Sequence, residues 1–168
     1  MRHVRLIILL VAVLGAAGYF GYRYLWLADD ERILHGKVDK LVELAEKEGE
    51  ETLFSSIGTA REIAGHFTEE FVVSMGRPFP EGRQDRDEFA AVIHQARSSA
   101  GDLRFRVSDR DLVVAEDGGS AVMELTGHGI ARFHEHGRRD ESRRFRVEWI
   151  KEEGDWLISR VELIDILD

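Results

Sequence analysis

The sequence predicts an α+β domain that follows one apolar N-terminal helix. An uncharged apolar run opens the chain, and apolar residues then recur with a helical period as far as residue 100. From residue 103 the period changes to two, as in strands. Helices that precede a series of hairpin-connected strands indicate three helices packed on one face of a curved, mostly antiparallel sheet.

Length and composition indicate one domain that needs no disulfide or metal cross-links for its stability. The chain has 168 residues, of which 43% are hydrophobic and 33% charged. Because there is no cysteine, disulfides, thiolate metal sites and cysteine nucleophiles are excluded. We therefore divide the chain into an N-terminal segment, residues 1–28, and a domain, residues 29–168.

Charge is distributed unevenly between these two parts. Residues 1–28 carry three arginines and no acid, so the total of −9 leaves −12 on residues 29–168. An acidic domain repels a phosphate backbone, which needs lysines and arginines to displace its counterions. Nucleic-acid binding is not expected.

Residues 4–27 fit a single membrane-spanning helix. The run from Leu6 to Tyr22 is uncharged, and extending it to Leu27 adds only Arg23. A span needs roughly 20 apolar residues, and an arginine near its end can reach the headgroups. Aromatic residues suited to the membrane interface are Tyr19, Tyr22, Tyr24 and Trp26.

The charges flanking this segment predict its orientation. Arg2 and Arg5 precede it, whereas Asp29, Asp30 and Glu31 follow it. The positive-inside rule places the N-terminus in the cytoplasm of a bacterium and the domain in the periplasm or outside. A cleaved signal peptide, with small residues at positions 15–17, is the alternative, and it also exports the domain.

Periodicity and caps define the elements of the domain. Helices are predicted over residues 28–50, 51–67 and 85–100, the last with Phe89, Val92, Ile93, Ala96 and Ala100 buried. A short strand is predicted over residues 70–75, followed by a proline-containing loop over residues 76–83. Four long strands follow, with a change of phase across residues 109–111 that indicates a β-bulge.

The central strands separate apolar from polar residues by alternation. The predicted inner face carries Ala121, Met123, Leu125, Gly127, Gly129, Ala131, Phe133, Phe145, Val147 and Trp149. None of these has an ionisable side chain, so no catalytic residue is predicted. A shift of one residue in register would instead turn Glu124, His128, Arg132 and His134 inward.

The order and length of these elements resemble the nuclear-transport-factor-2-like (SnoaL-like) cone-fold superfamily over about residues 30–167. The similar pieces are the helix opening at Asp85 to Phe89, the long bent strands, and Glu153 to Ile158 leading into the last strand. The resemblance implies a cystatin-like cone, in which enzymes of the superfamily place an Asp, His or Arg. Because this fold also hosts binders and scaffolds, it does not decide the function.

Two glycines in mid-strand and a group of histidines are candidates for a ligand pocket and for a metal site. Gly127 and Gly129 are typical of a bend in the strand or of space for a ligand. A ligand pocket in the cone would be lined by Phe71, Met123, Gly127, Gly129, Phe133 and Trp149. His128, His134 and His136 are interpreted as solvated, and neither a metal nor another cofactor is predicted.

Arginines dominate the predicted outer face of the sheet. They are Arg104, Arg106, Arg132, Arg144 and Arg146, with Glu124 and Glu148 beside them. Such rows are typical of solvated cross-strand ladders, but they also suit a homodimer or an envelope protein partner.

The leading functional hypothesis is a membrane-tethered, exported module that binds proteins or acts as an assembly scaffold. One anchor followed by such a domain is similar in layout to inner-membrane scaffolds of secretion systems. The alternative is a protein that binds a small apolar ligand in the cone, or a lyase or isomerase that acts on one.

Overall fold

The computed structural model describes residues 29–76, 81–133 and 137–167. The predicted membrane-spanning segment lies outside this part of the chain. Among the helices that are described, none combines the length and the apolar character needed to cross a membrane.

Three helices are present in the described residues, close to their predicted places. They are α1 over residues 29–45, α2 over Leu53–Ala64 and α3 over Arg86–Ser99. Thr52 caps α2 by accepting a hydrogen bond from the backbone N–H of Ser55, and the Asp85 carboxylate accepts from the N–H groups of Asp87 and Glu88 at α3. These caps confirm the helix starts expected from the sequence.

Six strands form one mixed sheet. They are β1 (Phe67–Ser74), β2 (Gly82–Asp85), β3 (Ala100–Val114), β4 (Ser120–Phe133), β5 (Gly137–Glu152) and β6 (Asp155–Leu167). Their order in the sheet is β2-β1-β6-β5-β4-β3, and only β1 and β6 are parallel. The α+β prediction with four long final strands is confirmed.

Helix α1 ends at residue 45, five residues before its predicted end. Two further boundaries differ from the sequence prediction. Phe67 begins β1 instead of ending α2, because the helix stops at Gly65 and the Phe67 ring packs 4.6 Å from that of Phe71 and 5.0 Å from that of Phe89. The predicted loop contains the start of β2, whose residues pair with Glu70 to Val73 of β1. Tertiary pairing, which local sequence does not encode, decides both.

The predicted β-bulge is confirmed. The register between β3 and β4 shifts between Ser108 and Asp111, and Asp109 adopts a positive φ of 49°. This local change lets Val107 and Leu112, which are five residues apart, both pack against the core.

The core lies between the helices and the inner face of the sheet. Its largest fully buried side chains are Trp149, Trp156, Phe71, Leu34, Met123 and Val73. The prediction that Val92 and Ala96 are buried is wrong, since Val92 is 39% exposed and Ala96 is also exposed. Helix α3 instead buries Arg97.

Arg97 joins the C-terminal ends of two helices. Its guanidinium donates hydrogen bonds to the Glu51 carboxylate and to the carbonyls of Leu44 and Ala45 at the end of α1. The Lys47 ammonium donates in turn to the carbonyls of Arg97 and Ala100. Carbonyls left unpaired at a helix end thus gain cationic donors, which explains why this arginine is buried.

The start of α1 is fixed to the turn between β5 and β6. The Asp30 carboxylate, in a residue that is only 4% exposed, accepts hydrogen bonds from Lys151 Nζ at 2.7 Å and Trp156 Nε1 at 2.9 Å. Nearby, the Lys37 ammonium lies 2.8 Å from the Asp155 carboxylate and lowers the pKa of that carboxyl. We call this the near end of the sheet, and the end where β4 finishes and β5 begins the far end.

Replacing Asp30 with alanine should destabilise the domain by about 2–4 kcal/mol, because it leaves the buried Trp156 indole N–H without its acceptor and removes the ion pair with Lys151. Urea unfolding of the full chain in detergent, followed by tryptophan fluorescence, measures the loss. The control is Asp29→Ala, which removes an exposed carboxylate from the adjacent position. Equal stability of the two variants would contradict the assigned role.

Candidate functional site

Cross-strand pairing confirms which side of the sheet is inside. Ala121 pairs with Trp149, Met123 with Val147 and Leu125 with Phe145. The first four of these six residues and Leu125 are buried, and Phe145 packs against the same core. The register shift that would turn the polar set inward does not occur.

The six predicted pocket residues divide into two groups. Phe71, Met123 and Trp149 are at most 1% exposed and belong to the packed core. Gly127, Gly129 and Phe133 lie farther along β4, toward the far end, and are half-buried. A role for the six in ligand binding stays a prediction.

Aromatic rings occupy the space that the two glycines leave. A methyl group at Gly127 would lie 3.0 Å from Phe145 Cε2, and one at Gly129 would lie 3.2 Å from Phe105 Cε1. The absence of a Cβ therefore lets phenylalanines of the two neighbouring strands lie over β4. The glycines serve this close packing.

The inner face does carry charges at the far end, contrary to the sequence prediction. Arg143 pairs with Gly127 and Glu141 with Gly129, so both side chains share the face of the glycines. The Arg143 guanidinium donates hydrogen bonds to Glu141 Oε2. Extending the alternation of β5 from Phe145 toward the start of the strand would have placed Arg143 and Glu141 on the inner face. These two residues were missed because no apolar residues alternate in that part of the strand.

One buried polar atom in the core has no described partner. Trp149 Nε1 is buried and donates no hydrogen bond within the described residues. The other fully buried indole, of Trp156, is paired with Asp30. Because an unpaired buried donor is costly, the Trp149 N–H is the atom in the core where an acceptor from a bound molecule would be most favourable.

The outer face carries two adjacent groups of ion pairs, which we together call the ladder: Glu124, Arg144, Arg146, Glu148, Arg160 and Glu162. Glu124 accepts from Arg144 at 3.0 Å and from Arg146 at 2.7 Å, and its hydrogen bond with Arg146 lowers the pKa of the Glu124 carboxyl. Arg146 also lies 3.9 Å from Glu162, and Arg160 lies 3.5 Å from Glu148. The predicted outward arginines are confirmed here.

The histidines are placed in separate settings. His128 Nδ1 lies 2.8 Å from Ser142 Oγ and Nε2 lies 3.3 Å from Asp140, on the outer face. His94 Nδ1 lies 2.9 Å from Ser56 Oγ beside a groove of about 200 Å³ between α2 and α3. His134 and His136 lie outside the described residues, and within those residues no three potential metal ligands cluster.

Comparison with known proteins identifies the fold. No family model matches the chain, and no curated protein matches it. A candidate scytalone dehydratase from Novosphingobium aromaticivorans is similar in structure, with a TM-score of 0.64, 17% identity and coverage of 85% of this chain and 87% of that one.

Two further structures agree. A nuclear-transport-factor-2-like protein with a cystatin-like fold, also from N. aromaticivorans, has a TM-score of 0.63 at 17% identity and covers 84% of this chain and 86% of its own. A member of the same superfamily from Salmonella enterica has a TM-score of 0.54 at 16% identity, covering 69% and 84%. The expected cone fold is confirmed.

Replacing Gly127 with alanine should destabilise the domain by about 1–2 kcal/mol, since the new methyl group forces the Phe145 ring to move. Replacing Gly58 within α2, where a Cβ meets nothing within 4 Å, should stabilise it by about 0.5–1 kcal/mol. Urea unfolding of both variants tests the opposite signs. A smaller loss for Gly127→Ala in a Phe145→Leu background would tie the effect to the ring, and additive losses would not.

Proposed function

We propose that this chain is a non-enzymatic assembly module, tethered to the bacterial cytoplasmic membrane by residues 4–27, that associates with a second copy through the outer face of its sheet. The ladder is the observation that carries the proposal. It presents an ordered, charge-balanced surface on an otherwise acidic domain.

The composition of the ladder suits a second copy of the same chain. Its three glutamates and three arginines balance each other, whereas residues 29–168 carry a net charge of −12. Two acidic domains repel each other least where such a neutral face is presented. Under a two-fold axis, each acid can also face an arginine of the other copy, as an isologous contact requires.

Exposed apolar residues adjoin the ladder. Val113 and Val122 are direct cross-strand partners on the outer face and are 65% and 38% exposed. Burying both would add apolar contact beside the ion pairs. Exposed apolar side chains beside a charged face favour protein contact over a solvated surface.

The interior gives less support to an enzyme. A dehydratase, as the similar N. aromaticivorans protein is named, needs a general acid or base within hydrogen-bond reach of its substrate. In this chain the inner face around Trp149 is apolar and packed. At the far end of that face, Arg143 and Glu141 are paired with each other, and Arg139, which pairs with Ala131 of β4, lies over the Phe133 ring.

Tethering at residues 4–27 would place the near end of the sheet at the membrane. Only Ala28 and Asp29 separate the predicted span from Asp30, a distance of about 10 Å at most. Asp30 is held at the β5–β6 turn, so the ladder would run away from the bilayer and remain accessible to another copy.

Single cysteines test the self-association, since the chain has no cysteine of its own. Val122→Cys, on the outer face, should form a disulfide-linked dimer in oxidised membranes, and adding Glu124→Arg should reduce its yield at least fivefold by unbalancing the ladder. Ser55→Cys, an exposed position on α2, is the control. Equal dimer yield from Ser55→Cys, or none from Val122→Cys, would contradict the proposal.

Alkaline phosphatase fused after Asp168 tests the topology. Because this enzyme is active only outside the cytoplasm, we expect activity, and we expect it in the membrane fraction if the span is retained. Deleting residues 4–27 should abolish it. Activity in the soluble fraction would favour the cleaved signal peptide, and no activity would contradict export.

The unpaired Trp149 N–H favours one second candidate, a cone that holds a small, largely apolar molecule with a hydrogen-bond acceptor. Native mass spectrometry of the full chain should then reveal a bound mass that Trp149→Phe loses and Trp156→Phe keeps, because the Trp156 N–H is already paired with Asp30. Absence of a bound mass from the unsubstituted chain would remove this candidate.

A further inference from the structure

We propose that a pocket at the far end of the outer face, above Ile130, is a binding site for a small soluble anion that carries a phosphate or carboxylate group. The pocket has a volume of about 240 Å³ and is lined by Asp102, Arg104, Ile130, Arg132 and Arg138. It lies beyond the ladder, and the proposal does not depend on self-association.

Strand pairing brings these residues together. On the outer face Ile130 of β4 lies between Arg104 of β3 and Asp140 of β5, and in the next row Arg132 lies between Asp102 and Arg138. The pocket therefore has an apolar floor, Ile130, with guanidinium groups from three adjacent strands around it. The residues are far apart in sequence, so only the pairing reveals the cluster.

The pocket lining carries three arginines and one acid, Asp102, and the other acidic partners of these arginines lie outside the lining. Arg132 and Arg138 are direct cross-strand partners, and like charges in that position destabilise a sheet. Asp102 lies 3.3 Å from Arg132 and Asp140 lies 2.9 Å from Arg138, which leaves Arg104 to the more distant Glu48 at 3.6 Å. Each guanidinium has five N–H donors, so single acids at the edges leave donors for a ligand.

The chemistry of the lining indicates the class of ligand. Planar guanidinium groups bind carboxylate and phosphate oxygens in pairs, and these are the anions for which arginine is the preferred partner. The pocket volume suits a small molecule, and the Ile130 side chain can contact a short apolar part of it. A phosphate monoester or a short dicarboxylate meets both conditions.

The position of the pocket argues for a soluble ligand over a lipid headgroup. Ser120 lies at the near end of β4 and Arg132 twelve residues along the same strand, which corresponds to about 40 Å. If residues 4–27 cross the membrane next to the near end, the pocket points away from that bilayer and its headgroups.

Isothermal titration of the full chain in neutral-lipid nanodiscs, with inorganic phosphate and with succinate at constant ionic strength, tests the site. We expect saturable binding of at least one anion, weakened at least tenfold by Arg132→Gln and by Ile130→Glu, which places a carboxylate on the pocket floor. Arg83→Gln is the control, since Arg83 is an equally exposed, ion-paired arginine on β2 at the opposite edge of the sheet.

Unchanged unfolding midpoints would show that the variants still fold. Anion binding should persist in Glu124→Arg, because this substitution changes the ladder and not the pocket. Absence of saturable binding, or equal weakening by Arg83→Gln, would overturn the proposal. Binding only to vesicles that contain phosphatidic acid, with no response to the soluble anions, would also overturn it.

Discussion

Four long strands can bury only one of their faces, and the packing of Trp149 and Met123 with Leu34 decides which face that is. Because side chains alternate along a strand, fixing these residues inside places every second residue of β4 and β5 outside. The ladder and the arginine-lined pocket are consequences of this choice. A shift of one residue would bury at least three charges, so the register is strongly specified.

The two ends of the sheet differ in structure. At the near end, Asp30 joins the start of α1 to the turn between β5 and β6 through hydrogen bonds from Lys151 and from the buried Trp156 indole. At the far end β4 and β5 extend past the buried core, and their exposed residues include most of the arginines of that hairpin. Attachment of the helices and presentation of a charged surface are thus separated by the length of the strands.

Local patterns predicted the elements well where one property dominated. The opening of α3 at Asp85, the bulge at Asp109 and the alternation of β4 all follow from short-range rules, and all are present. The predictions failed where a long-range partner decides the outcome. Phe67, predicted to end α2, lies in β1 and packs with Phe71 and Phe89. Strand β2 pairs with β1 and begins inside a predicted loop.

By itself the sequence determined the fold class, the direction of the apolar face and the uneven charge, because these depend on period and composition within one segment. Only the tertiary structure decided that Arg97 is buried, that Arg143 and Glu141 share the inner face, and that Arg104, Arg132 and Arg138 surround Ile130. Each of these joins residues from different elements, and the spacing within one element carries no information about which strand or helix lies beside it.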